Sequence, residues 1–142
     1  VAAAITVEAV LSYLGLGPSA CGFLPEGENG TYVGDASAVR YRNVPDTAAY
    51  VRAIQAGRAA RNETELLNTA EMARDAAWLA LRTNAGIDRC AYQERFAADP
   101  LQRYADAVAR HRADGLLEVT SSAIRLTPRG RLLANYVTRD FM

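Results

Sequence analysis

Lysine is missing from this chain: all 16 basic residues are arginine, and 16 acidic residues bring the formal net charge to zero. That balance weakens nonspecific attraction to nucleic acid or to an anionic membrane surface. The arginine-only pattern, beside abundant alanine, reads as genomic base composition rather than function. Only 2 cysteines and 1 histidine occur among the 142 residues. Cys21 and Cys90 lie far apart with no neighbour at metal-ligand spacing, so the sequence supports neither a zinc site nor a disulfide framework and predicts two free thiols. His111, flanked by Arg110 and Arg112, reads as part of a solvated helix face rather than a catalytic base. No run approaches the roughly 18 apolar residues of a membrane span, and the apolar start Val1 to Val7 lacks the basic flank of a signal peptide. A cytoplasmic setting is expected. The chain opens on valine, directly in a strand-like run, which suggests a truncated beginning.

The catalytic inventory is equally sparse. Gly15-Leu-Gly17 lacks the third glycine and the following helix of a dinucleotide fingerprint, and no lysine-bearing phosphate loop exists. Two readings of this glycine pair stay open: a strand turning sharply into a loop, or close approach of the backbone to a ligand. Ser12 and Ser19 have no histidine at a spacing that would make it their base. The carboxylates are spread along helix faces, as solvated faces usually are. No catalytic residue and no metal ligand is assigned.

What the chain does contain is a legible run of helix ends. Half of its residues are apolar, enough for one ordinary core or a small domain with an added element. Asp46-Thr47 caps a short helix carrying Tyr50, Val51 and Ile54 on one side, stopped by Gly57. Residues 57–62 then read as an arginine-rich connector. Asn68 and Glu71 resemble a capping box ahead of a helix from Met72 to Leu81, apolar round most of its circumference and expected at the centre of the domain with Trp78, Leu79 and Leu81 in the core. Gly86 follows it, and Asp88 caps another short helix, with Ile87 placed to staple onto Tyr92, and Phe96 continuing that face. Asp99-Pro100 opens a helix bearing Leu101, Tyr104, Ala105, Val108 and Arg112, closed by Asp114-Gly115. Leu116 to Val119 and Ala123 to Leu126 read as two strands, with Tyr104 and Val108 against this wing. Thr127-Pro128 starts a final helix with Leu132, Leu133, Tyr136, Val137 and Phe141 facing inward. Nearer the N-terminus, turn-rich residues from Pro25 to Ser37 predict an exposed excursion with short strands around Thr31 to Val33 and Ala38 to Tyr41.

These residues assemble into a resemblance. Tyr13-Leu-Gly-Leu-Gly-Pro-Ser-Ala20, Arg42-Asn43 with Tyr50, Glu71 before Leu79-Ala-Leu-Arg-Thr83, Gly86-Ile-Asp88, Gly115-Leu-Leu117 and Arg125-Leu-Thr-Pro-Arg-Gly-Arg-Leu-Leu133 occur in the order found at the C-terminal end of oxygen-independent coproporphyrinogen III oxidases and their haem-chaperone relatives. The ordered set is more specific than any of its parts, covers Tyr13 to Met142, and looks closer to the chaperone branch. The resemblance implies a parent of the radical S-adenosylmethionine class, with a 4Fe-4S cluster held by three cysteines near the start of an open α/β barrel. Neither Cys21 nor Cys90 matches those cysteines, so no cofactor is expected in this chain alone. The implied fold is mainly α with a small β component, an α+β arrangement. Residues 1–45 would be a remnant of the barrel end with an exposed loop, its last strand and loop included, and residues 46–142 a C-terminal helical, winged-helix-like domain. Gly15, Gly17, Ser19, Ala20 and Cys21 would edge the cofactor-bearing face. The implied partners are the missing barrel of the same protein and, in the parent, porphyrin or haem.

Two departures accompany the resemblance. Chaperone-like members usually carry histidine where Cys21 stands, and Val1 to Leu11 lacks the family's histidine-asparagine and tyrosine-tryptophan pairs. Two other readings compete. A winged-helix DNA-binding module would use Arg125, Arg129 and Arg131, but zero net charge and an unexplained N-terminal third count against it. An independent scaffold module would leave no exposed apolar edge, whereas a missing barrel would leave Tyr13, Leu14 and Leu16 uncovered.

Overall fold

The computed structural model describes residues 13–25 and 37–142. Their elements form two compact units divided between Met72 and Ala73. The expected strand at Thr31 to Val33 and the unusual stretch Val1 to Leu11 lie outside the described residues.

The first unit is built on an antiparallel sheet of three strands, β1 (Cys21–Pro25), β2 (Ala38–Asn43) and β3 (Arg61–Leu67), in the order β1-β2-β3. Phe23, Ala38 and Leu67 are buried together and Met72 packs against them. β1 is not among the strands the sequence predicts, and its last residue, Pro25, opens the run expected to be turn-rich. β3 overturns the connector expected at residues 57–62, because the strand already starts at Arg61. Its residues are exposed except Leu67, so hydrophobic alternation could not reveal it. Pairing with β2 makes it a strand, aided by the cross-strand ion pair of Arg40 and Glu65 at 3.0 Å. Between β2 and β3 comes α1 (Thr47–Gln55), where the Asp46 carboxylate accepts from the Ala49 amide at 2.7 Å and Gly57 turns with φ of 67°. The capping box is reciprocal: Glu71 N–H donates to Asn68 Oδ1 at 3.0 Å and Asn68 N–H to Glu71 Oε2 at 2.9 Å. It opens α2 (Thr69–Leu81), within which the division of the units falls.

The second unit takes the rest of α2, then β4 (Ile87–Asp88), α3 (Arg89–Phe96), α4 (Pro100–Arg103), α5 (Ala105–Ala113), β5 (Leu117–Val119), β6 (Ala123–Leu126), α6 (Pro128–Leu132), α7 (Ala134–Thr138) and a 3-10 turn, Arg139–Phe141. The two-strand wing is present, and the two residues of β4 extend it to a sheet ordered β4-β6-β5. α2 buries Ala73, Ala76, Ala77, Ala80 and Leu81, a small-residue face. Leu79 is instead 54% exposed, because its angular position falls on the opposite side from Ala73, Ala77 and Ala80. Trp78 carries the Arg82 guanidinium over its ring at 4.5 Å.

Fully buried Ile87 and Tyr92 flank the Asp88 cap in the staple positions. Tyr92 lies 4.8 Å from Phe96 between ring centroids, and its hydroxyl donates to the Ala73 carbonyl at 3.1 Å. Burial, and then a hydrogen bond with Tyr104, hold the Tyr92 phenol well above the ordinary tyrosine range. The Tyr104 ring packs on Phe141 at 4.9 Å and its hydroxyl meets that of Tyr92 at 3.3 Å. The chain breaks helical geometry at Tyr104, with φ of −116°, so the single helix expected from Asp99 onward is two.

His111 corrects the solvated-face reading outright. It is fully buried, its Nε2 lies 2.7 Å from Asp140, and Tyr136 meets its ring edge-on at 5.4 Å. Arg110 also binds Asp140, so the carboxylate ties α5 to the C-terminal turn. Flanking arginines concealed the residue, although its spacing from Ala107 and Val108 places it on the inward stripe. The final segment is corrected likewise. Val137 and Phe141 are fully buried, but Leu132 is 86% exposed and Leu133 and Tyr136 are nearly half exposed. Leu133 interrupts the helix with φ of −113°, and this break rotates the expected apolar stripe out of register.

Two outcomes are expected from this unit. Gly86 has φ of 72°, and a Cβ there would collide with the Ile124 carbonyl and Arg125. Gly86→Ala should therefore cost at least about 1–2 kcal/mol from backbone handedness alone, read by denaturant unfolding. Asp99 is paired with Arg89 at 2.8 Å, and that bond, followed by the Leu101 amide, holds its carboxyl below the usual range. A depressed folded pKa contributes stability that is present above the unfolded value and lost as pH falls through the folded one. Asp99→Asn keeps the cap, so its stability deficit should be largest near neutral pH and close below about pH 4 in a pH series of unfolding midpoints.

Candidate functional site

Alternation along β2 sends Val39, Tyr41 and Asn43 to one face of the first sheet and Arg40 and Arg42 to the other. The Gly15–Ala20 loop is held by the Tyr41 and Asn43 side chains of the first set. Tyr41 lies opposite Gly22 in register, and any Cβ on Gly22 would run into the Tyr41 ring. Glycine there lets the ring lie across β1, where its hydroxyl accepts from the Gly15 amide at 3.1 Å. Arg61 covers the same ring at 4.4 Å. Asn43 Nδ2 donates to both the Gly15 carbonyl at 2.9 Å and the Gly17 carbonyl at 3.0 Å. From α1 the Tyr50 hydroxyl accepts from the Gly17 amide at 3.0 Å.

Backbone bonds complete the frame. Ser19 N–H donates to the Val44 carbonyl at 3.1 Å, and Asn43 N–H to the Ala20 carbonyl at 2.9 Å. Gly17 turns with φ of 102° and Ser19 with φ of 60°, the latter a left-handed conformation uncommon for a residue with a side chain. Tyr13 pairs with Phe23 through two backbone bonds of 2.9 Å, an isolated bridge before the loop begins.

The structure thus brings Gly15, Gly17, Ser19 and Ala20 together on one frame. Cys21 starts β1 opposite Arg42, on the face that carries the arginines. Together with Arg40, Arg42, Glu63 and Glu65 it lines an open cavity of about 190 Å³. Tyr41 was missed by the sequence reading; its period-two spacing from Asn43, opposite a glycine, was the available signal. Cys21 and Cys90 are both free and exposed. They belong to different units, and among the described residues no group of three or more histidine, cysteine or acidic side chains could hold a metal ion. The residues described therefore do not fit an iron–sulfur cluster.

The HemN C-terminal domain family matches residues 67–133, from the end of β3 to the break at Leu133. The fold is also similar to coproporphyrinogen III oxidase (HemN) from Escherichia coli, described as a radical SAM enzyme, with a TM-score of 0.65 and 21% identity. The likeness covers 90% of this chain and 27% of that one, so the chain spans about a quarter of its neighbour's length. No curated protein matches the chain. The glycine loop and its Tyr41–Asn43 frame lie N-terminal to the residues that match this family. Among the described residues, no helix is long and apolar enough to cross a membrane.

If Gly22 exists to admit the Tyr41 ring, Gly22→Ala should overpack the first unit at a cost of about 1–3 kcal/mol. Amide exchange should quicken in β1 and β2 and stay unchanged in β5 and β6.

Proposed function

We propose that this chain is the C-terminal part of a radical S-adenosylmethionine protein of the porphyrin pathway, either an oxygen-independent coproporphyrinogen III oxidase or a haem chaperone. The observation that carries the reading is the HemN C-terminal domain match at residues 67–133 joined to a fold likeness that runs over nearly the whole chain. In this reading residues 1–45 are the end of the barrel and residues 46–142 the domain that packs on it and helps cover the substrate region. The protein is cytoplasmic. Gly15, Gly17, Ser19, Ala20 and Cys21 form the edge nearest the cofactor, and the chain supplies architecture rather than chemistry.

Exposed apolar residues support a missing neighbour over an independent scaffold. Tyr13, Leu14 and Leu16 are all at least half exposed, Leu16 reaching 83%. A DNA-binding wing draws less support, since Arg125 is engaged by Glu118 on the adjacent strand.

Anaerobic reconstitution with iron and sulfide tests the reading. The chain alone is expected to bind no stoichiometric iron, while the same chain extended upstream through a three-cysteine motif should develop the cluster absorbance. A cluster on the 142-residue chain, or none on the extended protein, would overturn it.

A further inference from the structure

Asn43 is only 5% exposed, and it stands where the register of β2 against β3 slips by one residue. Such irregularities re-aim a side chain. Its Nδ2 offers two hydrogens, and one goes to each glycine carbonyl of the loop, while its backbone amide takes a third loop carbonyl, that of Ala20. An aspartate has no hydrogens to give these carbonyls, and a serine has one. The amides are engaged as well: Gly15 by Tyr41, Gly17 by Tyr50, Ser19 by Val44. A backbone anion cradle requires converging amides that are free to donate. Here a phosphate or carboxylate would first have to displace two tyrosine hydroxyls.

We propose that Asn43 is the positioning residue of the Gly15–Ala20 loop, with Tyr41 and Tyr50 closing its glycine amides, so that the loop meets an uncharged part of its ligand through the side chains of Leu16 and Ser19. This rests on the reading that the loop borders the cofactor or substrate. It changes what the loop can recognise there: an apolar or neutral hydrogen-bonding surface in place of an anionic group.

Amide exchange followed by NMR on the full chain is the test. Tyr41→Phe should speed exchange at Gly15 about tenfold, Tyr50→Phe should do so at Gly17, and Asn43→Ser should release both. Added inorganic phosphate should leave both amide resonances in place in the wild type and move them in the Tyr41→Phe, Tyr50→Phe double variant. Unchanged exchange in Asn43→Ser, or phosphate-induced shifts in the wild type, would overturn the proposal. If Asn43→Ser does not fold, the Tyr50→Phe result at Gly17 decides. The underlying reading fails separately: in the protein extended through its barrel, an Asn43→Ser variant that frees the loop yet keeps its S-adenosylmethionine affinity and substrate KM would retain the positioning role and remove the loop from the site.

Discussion

The carboxamide of Asn43 answers a constraint that governs the first unit: backbone carbonyls drawn out of water by a tight loop must find donors. Two of the loop's carbonyls find one in the same nitrogen. Everything nearby follows from admitting that arrangement. Gly15 has no side chain because one would strike the backbone at Ala20 and Cys21, and Gly22 has none because the Tyr41 ring occupies that space. A hydrogen bond of this kind contributes a modest net free energy, while leaving its partner buried and unpaired costs about 1–3 kcal/mol. The loop's shape is therefore guarded more by the penalty of losing the frame than by the gain of forming it.

The second unit solves the same accounting differently. Three of its short helices, α3, α4 and α6, start at side-chain caps, Asp88, Asp99 and Thr127, each taking an amide that the helix cannot satisfy itself. Two of its buried side chains are tied to named partners, Tyr92 to Ala73 and Tyr104 and His111 through Nε2 to Asp140. The Arg89–Asp99 pair joins the start of α3 to the cap of α4. These contacts hold a unit whose sheet, among the described residues, has three short strands.

The proposed role depends on the loop and the exposed leucines being surfaces for something else. A loop whose amides are already engaged can present side chains with precision, but it is poorly suited to bind an anion by its backbone.

The sequence by itself determined the local punctuation. Asp46, Asp88, Asp99-Pro100, Thr127-Pro128, Gly57, Gly86 and Gly115 each act within a turn or so of chain, so their meaning is carried by their immediate neighbours. The glycine loop, Asn43 and Tyr50 were also visible, as an ordered set of residues without a stated geometry. Tertiary structure alone decided what depends on partners distant in sequence. β3 is polar and exists because β2 offers it a register, β4 because Ile87 finds Ile124. His111 is buried because Asp140 and Tyr136 return to it from the last turn. Leu79, Leu132 and Leu133 are exposed because helix breaks and a face of alanines, rather than hydrophobicity, fixed which side of each helix turned inward. Hydrophobic side chains can be counted from a sequence, but the surface that covers them is chosen only when the chain closes on itself.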